Sequence, residues 1–144
     1  MRVRDCMIRE VRIADPDETL REAALAMADI DAGFLPVSEH DRMIGVVTDR
    51  DIAIRGVAKG LSPETRIREV MSGEIRYCFD DDDTADVLDN MAELQVRRLP
   101  VVDRGKRLVG VVSITDLAGY GERAHAGEAL SEIARPSPIH SQTV

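Results

Sequence analysis

The sequence has no tryptophan, two phenylalanines and two tyrosines. A surface that stacks the bases of a single strand needs aromatic rings, so this scarcity argues against single-stranded nucleic acid as a partner. Cationic excess is also missing: 19 Lys and Arg stand against 27 Asp and Glu, for a net charge of −8. A protein that tracks a phosphate backbone carries the opposite balance. No long apolar run exists; the longest, residues 23–28, is far short of a membrane span. The opening MRVRDCMIRE mixes charge with apolar residues. It therefore lacks the apolar stretch of a signal peptide, and the chain is expected to be cytoplasmic. Cys6 and Cys78 make no metal spacing and are expected to be reduced small hydrophobes in or near the core. His40, His125 and His140 have no partners at ligand spacing. They are expected to be exposed, and no metal site is expected. There is no phosphate loop, dinucleotide glycine fingerprint or nucleophile elbow. No catalytic residue is assigned, and an enzyme is not expected.

What the sequence does have is a repeat. Leu35-Pro36-Val37 recurs as Leu99-Pro100-Val101, and Met7 as Met71, 64 positions on. Gly45-Val46-Val47-Thr48 recurs as Gly110-Val111-Val112-Ser113, and Asp51 as Asp116, 65 positions on. One extra residue in 102–107 accounts for the slip. The chain reads as a first copy over 1–60, a second over 61–120, and an extension over 121–144. A unit of about 60 residues buries only about 60% of its unfolded surface, so the copies are expected to fold as one body.

Each copy reads strand, helix, strand, strand, helix, an α+β order. In the first copy, Val11 and Ile13 alternate as a strand. A helix over 20–30 carries Leu20, Ala23, Ala24, Met27 and Ile30 on one face. Strands follow over 34–37 and 43–48, the latter apolar enough to be buried on both faces. A helix over 49–56 turns Ile52 and Ala53 inward. The second copy repeats this with strand 77–79, helix 84–94, strands 98–102 and 108–113, and helix 115–120. Short helical turns are expected at 4–7 and 67–71, and a further helix within 121–135. Residues 136–144 are expected to be disordered.

Two patterns bear on function. The acidic run 80–83 precedes a helix, where carboxylates cap free amides and meet the positive dipole end; it reads as a helix start rather than a cation site. The second pattern is hydroxyl-x-x-Asp: Thr48 with Asp51, and Ser113 with Asp116. Each follows a buried strand and opens a helix. One such tetrapeptide reads as a capping box. Its recurrence at the same place in both copies suits a nucleotide, with the hydroxyl for a phosphate and the acid for the ribose. Arg97 and Arg98 stand where the first copy has Gly33 and Phe34, so positive charge for a polyphosphate is supplied from one copy only.

The doubled unit resembles a tandem pair of cystathionine β-synthase (CBS) domains over roughly residues 1–120. The resemblance rests on Cys6-Met7 and Val70-Met71, Leu-Pro-Val in both copies, and Gly-Val-Val-Thr-x-x-Asp with Gly-Val-Val-Ser-x-x-Asp. It extends to small bacterial proteins made of one such pair. It implies two β-α-β-β-α motifs with pseudo-two-fold symmetry and two clefts between them. It implies a ligand-sensing module for an adenine nucleotide (AMP, ADP or ATP), with no further cofactor required. The resemblance places Thr48 and Ser113 at phosphate, and Asp51 and Asp116 at ribose. It places Ile13, Gly33, Phe34, Tyr77, Cys78, Arg97 and Arg98 around the adenine. A separate target protein is implied, with no nucleic-acid polymer and no membrane. A homodimer is expected, with helices 20–30 and 84–94 packing across a two-fold axis with Ile52, Ala53 and Leu117. The alternative is a structural or assembly CBS protein without a bound nucleotide.

Overall fold

The computed structural model describes residues 1–135; the expected disordered tail, 136–144 with His140, lies outside the described residues. Two helices of eleven residues anchor the copies: α1, Leu20–Ile30, and α3, Thr84–Leu94. The Thr19 hydroxyl accepts the Glu22 amide at 3.1 Å and starts α1. Asp83 accepts the Ala85 amide at 2.9 Å and starts α3. Both helices end on a residue in the left-handed region, Asp31 and Gln95. The buried side of α1 is Leu20, Ala23, Ala26 and Met27. Ala24 and Ile30, expected on that side, face out. The helix rotates so that its two largest inward side chains, Leu20 and Met27, bracket a line of alanines.

Strands β1, Phe34–Glu39, and β2, Arg42–Thr48, form an antiparallel hairpin. His40 and Asp41 both take positive φ at its tip, the backbone that a two-residue turn between twisted strands demands. Only Gly45 and Val47 of β2 are fully buried. The strand alternates in burial, where burial on both faces was expected. Asp49–Asp51, α2, follows β2 directly and runs on through a π turn, Ile52–Gly56, and a 3-10 turn, Val57–Lys59. Ile52 packs on the core, whereas Ala53, expected inward, is exposed.

The second copy holds a three-stranded sheet in the order β3-β4-β5, with β3 at Cys78–Phe79, β4 at Arg98–Val102 and β5 at Leu108–Ser113. β3 runs parallel to β4 and pairs Cys78 with Val101. The expected strand at Val11 and Ile13 shrinks to one bridge, Ala14 with Val37. The second copy keeps one residue pair more, Phe79 with Val102, and that difference comes from a proline. In the second copy the Asp80 amide donates to the Val102 carbonyl at 2.9 Å and extends the ladder. Its counterpart in the first copy is Pro16, which has no N–H to give. Helices α4, Ile114–Gly119, and α5, Arg123–Ile133, complete the chain.

The segment ahead of each copy docks on the other copy. The Val3 amide donates to the Asp82 carbonyl and the Arg4 amide to Asp80, while Ile8 bridges Val111 in β5. In the same way the Ile67 amide donates to Glu18 and the Arg68 amide to Pro16, while Ser72 bridges Val46 in β2. Short 3-10 turns at Val3–Asp5 and Ile67–Glu69 start both crossings. Two compact units result, and they do not follow the repeat boundary between 60 and 61. One joins Met1–Arg9, Tyr77–Arg104 and the described residues from Val109 on; the other joins Glu10–Arg76 and Gly105–Leu108. Each has its own aliphatic core. Leu88, Met91 and Leu117 centre the first, and Leu35, Val47 and Ile67 the second.

Candidate functional site

The two hydroxyl-x-x-Asp motifs fold into the same structure. In the first copy the Asp51 amide donates to Thr48 Oγ1 at 3.0 Å, and the Thr48 amide donates to Asp51 Oδ2 at 3.0 Å. In the second, the Asp116 amide donates to Ser113 Oγ and the Ser113 amide to Asp116 Oδ2, both at 3.0 Å. These are reciprocal capping boxes. All four side chains are half-buried. Each box engages only part of its polar capacity. The second carboxylate oxygen, Oδ1, of Asp51 and of Asp116 has no donor among the described residues. Each hydroxyl accepts one amide and keeps its own proton to give. A half-buried hydroxyl donor beside a carboxylate acceptor, at the start of a helix, can take a phosphate oxygen and a sugar hydroxyl together.

The strand before each box is tied to it. The Asp49 amide donates to the Gly33 carbonyl at 2.9 Å, and Phe34 pairs with Thr48 across the hairpin. The Ile114 amide donates to the Arg97 carbonyl at 3.0 Å. Within its own unit, the structure therefore gathers Gly33, Phe34, Thr48 and Asp51. Within the other, it gathers Arg97, Arg98, Ser113 and Asp116. Arg97 and Arg98 are exposed, while Gly33 and Phe34 are half-buried. Ile13 is 43% exposed, next to the Ala14 bridge. The Tyr77 ring meets Phe79 edge-on, with centroids 5.6 Å apart.

Cys78 is placed differently. Its thiol lies in the core, 2% exposed, 3.9 Å from the Pro100 carbonyl. Burial pushes its pKa up to about 12. The side chain is a packing element, so any contact from this position comes from the backbone. Both cysteines are free and buried.

The two sites differ in a residue that the motif leaves unspecified. In the first copy the Asp49 carboxylate accepts the Arg50 amide at 2.8 Å. A Cβ at Gly33 would come within 2.9 Å of Asp49 Oδ2, so this carboxylate lies directly against Gly33. In the second copy the matching pair is Ile114 and Thr115, and the Thr115 amide has no acceptor among the described residues. One helix start is thus filled by its own carboxylate, and the other keeps an open donor. Sequence reasoning passed over Asp49 and Thr115; comparing the two x-x positions across the repeat would have found them.

The acidic run is structural. Asp83 caps α3, and Asp82 accepts the Phe79 amide at 2.9 Å. Asp81 holds Arg104 through two hydrogen bonds of 2.7 and 3.0 Å, which lower the Asp81 pKa. The Arg104 guanidinium in turn lies 4.1 Å from the centre of the Phe79 ring. Among the described residues no group of three or more His, Cys, Asp or Glu side chains is placed to hold a metal ion. His125, expected to be exposed, is half-buried and bonds Asp89 at 2.7 Å.

Comparison with known proteins gives a consistent result. The CBS domain family model matches residues 3–56 and 67–123. The CBS domain-containing protein YhcV of Bacillus subtilis is 39% identical over 139 residues, covering 96% of this chain and 98% of that protein. Hypoxic response protein 1 of Mycobacterium tuberculosis is 41% identical over 140 residues, covering 96% and 97%. The crystal structure of hypoxic response protein I, with two coordinated zinc ions, matches at a TM-score of 0.76 and 39% identity over 83% of this chain and 98% of that one. The CBS domain pair of protein MJ0100, in complex with 5′-methylthioadenosine and S-adenosyl-L-methionine, matches at 0.72 and 26% identity over 89% and 98%. No helix among the described residues is long and apolar enough to cross a membrane.

Proposed function

The chain belongs to the CBS-domain family, and on that premise we propose that it is a ligand-sensing regulatory module. It binds adenine nucleotides (AMP, ADP or ATP) at its two hydroxyl-x-x-Asp helix starts and signals to a separate protein. The observation that carries this reading is the twin geometry. Both copies build the same half-buried box, and both leave one carboxylate oxygen and one hydroxyl proton for a ligand. Two hydrogen bonds from neighbouring ribose hydroxyls suit that carboxylate oxygen, and a charged acceptor strengthens them. Support comes from the MJ0100 pair, which is 26% identical and was solved with two adenosyl compounds.

The two sites are unequal. The second-copy box, with the open Thr115 amide and with Arg97 and Arg98 beside it, is the better phosphate acceptor. The first-copy box, with Asp49 against its helix start, repels a phosphate more and favours a ligand of lower negative charge. The chemistry is recognition, not turnover, and association as a homodimer belongs to the same reading. Calorimetry of the purified chain with AMP, ADP, ATP and S-adenosylmethionine tests it, together with mass spectrometry of any co-purified small molecule. If no adenosyl compound binds, the boxes are helix caps only, and an assembly role without ligand takes its place.

A further inference from the structure

The box of the second copy stands on a short helix. α4 has six residues, and a helix of that length holds in water only through tertiary contacts. The repeat shows which contacts those are. In the first copy the turns after the box are clamped by Arg55, whose guanidinium donates to the Val70 and Met71 carbonyls at 2.9 and 3.1 Å. The matching residue of the second copy is Tyr120. It is exposed and offers no such clamp. α5 takes the place of the arginine. It packs on α4 and on α3, and its Ala126 and Ala129 join Leu88 and Leu117 in one buried cluster. Leu117, expected from the sequence to face a partner copy, is fully buried in the chain's own core. It is also the residue after Asp116. Its carbonyl accepts the amides of Tyr120 and Glu122 at 3.2 and 3.3 Å, so α5 starts from the helix that carries the box.

The hold on α5 itself is slight. Its fully buried residues are two alanines, which remove little apolar surface from water, and Leu130 faces outward. Three polar contacts add to this. The Thr84 hydroxyl meets Glu122 at 3.2 Å, His125 bonds Asp89 at 2.7 Å, and the Gln95 side-chain amide donates to the Glu132 carbonyl at 3.1 Å. The last two are exposed. An element with few buried apolar contacts opens locally at a free energy well below that of global unfolding. When α5 lifts, Leu117 loses its cover and α4 loses its support. The Ser113–Asp116 box then loses the backbone that sets its geometry. A ligand that needs the formed box binds the docked state alone and shifts the equilibrium toward docking.

We propose that α5 is the ligand-responsive element of the second-copy site: a nucleotide in the Ser113–Asp116 box tightens α5 against α3 and α4, and release of α5 weakens the nucleotide by the same factor. This rests on the adenine-nucleotide reading of the box and adds its regulation. Occupancy of a half-buried box thereby becomes visible at an exposed helix. The first-copy box, followed by the Arg55 clamp, is outside this control.

The test is hydrogen exchange over Arg123–Ile133 of the full chain with and without ATP, with calorimetry on the same samples. Saturating ATP is expected to slow exchange at least about tenfold, since a ligand at about 100 times its dissociation constant suppresses an opening that it cannot bind about a hundredfold. Asp51→Ala is expected to keep this effect and Asp116→Ala to lose most of it. In the other direction, Ala129→Glu places a charge under α5. It is expected to speed exchange over α5 and, in the Asp51→Ala background, to lower ATP affinity at least about tenfold. If that charge disrupts the whole core, His125→Gln is the milder loosening: exchange over α5 quickens without ATP, and ATP restores protection. ATP that binds without slowing α5, or that slows it equally in Asp116→Ala, overturns the coupling and leaves the ligand reading standing. A chain that gives no heat with ATP sinks the ligand reading, and this inference with it.

Discussion

The Asp49 carboxylate accepts the Arg50 amide at 2.8 Å, filling the position that Thr115 leaves open in the second copy. The Arg50 amide is thereby satisfied within the chain, and a negative charge sits where the proposed phosphate would arrive. Replacing Asp49 by Ala frees the amide and removes the charge. A hydrogen bond to a charged group is worth about 1.5–3 kcal/mol, and about 1.4 kcal/mol is one decade of affinity. Asp49→Ala is therefore expected to raise ATP affinity at the first-copy site about tenfold. A titration of the variant in which ATP binding is unchanged or weaker would contradict the inequality of the two sites.

Asp116→Ala removes the proposed ribose acceptor of the second copy and half of its capping box. Loss of a cap costs about 1 kcal/mol of stability. Loss of two charge-assisted bonds costs more in binding, so affinity is expected to fall at least about tenfold. Asp51→Ala makes the same change in the first copy. Calorimetry of both variants ranks the sites, with Asp116→Ala expected to lose more ATP affinity. Equal affinity in parent and both variants would reduce the two motifs to helix caps.

Much of this was legible in the sequence, because a repeat displays each position twice. The bounds of α3, β4 and β5 follow from apolar spacing and match the structure. Three things were hidden. Pro16 was read as part of a turn, yet its missing N–H removes the residue pair that makes β3 of the second copy one pair longer. The rotation of α1 could not be read, since a helix of alanines offers several apolar stripes of similar strength. The crossing of segments 1–9 and 65–72 onto opposite copies is a long-range event with no local signal. Its trace was present all the same, in the glycine that opens both Gly-Val-Val motifs.

Those glycines lead to a further prediction. A Cβ at Gly45 would lie 2.5 Å from the Ser72 carbonyl oxygen, and one at Gly110 would lie 2.8 Å from that of Ile8. In both places a crossing segment runs against the strand, and the obstacle is backbone. Overpacking of this kind costs about 1–3 kcal/mol. Gly45→Ala and Gly110→Ala are each expected to lower the urea midpoint, with Gly45→Ala worse because its approach is closer. Midpoints equal to the parent would mean that the crossings are loose.

Cys78 supplies a test of the core. Burial holds its thiol near a pKa of about 12, and the thiolate is the reactive species. In the native chain it is expected to resist iodoacetamide at pH 8 and to react once urea unfolds the protein. Rapid native labelling at Cys78 would show that the site opens readily.

The last prediction concerns His125 on α5. Its pKa is raised, first by the hydrogen bond to Asp89 and then by the charges of Asp89, Glu122 and Glu128. In an unfolded chain a histidine titrates near 6.5. A group whose folded pKa lies above its unfolded one stabilises the fold fully below the unfolded value. That stabilisation is lost as pH rises through the folded value. Protonated His125 ties α5 to α3 and lies 4.0 Å from Glu122; the neutral ring keeps only a weaker hydrogen bond. The difference in melting temperature between the parent and His125→Gln is therefore expected to be largest at pH 5.5 to 6 and to shrink toward pH 8.5. Hydrogen exchange over Arg123–Ile133 should quicken across the same interval in the parent and stay flat in the variant. A difference that grows with pH would reverse the sign of the linkage and remove His125 as the pin of α5.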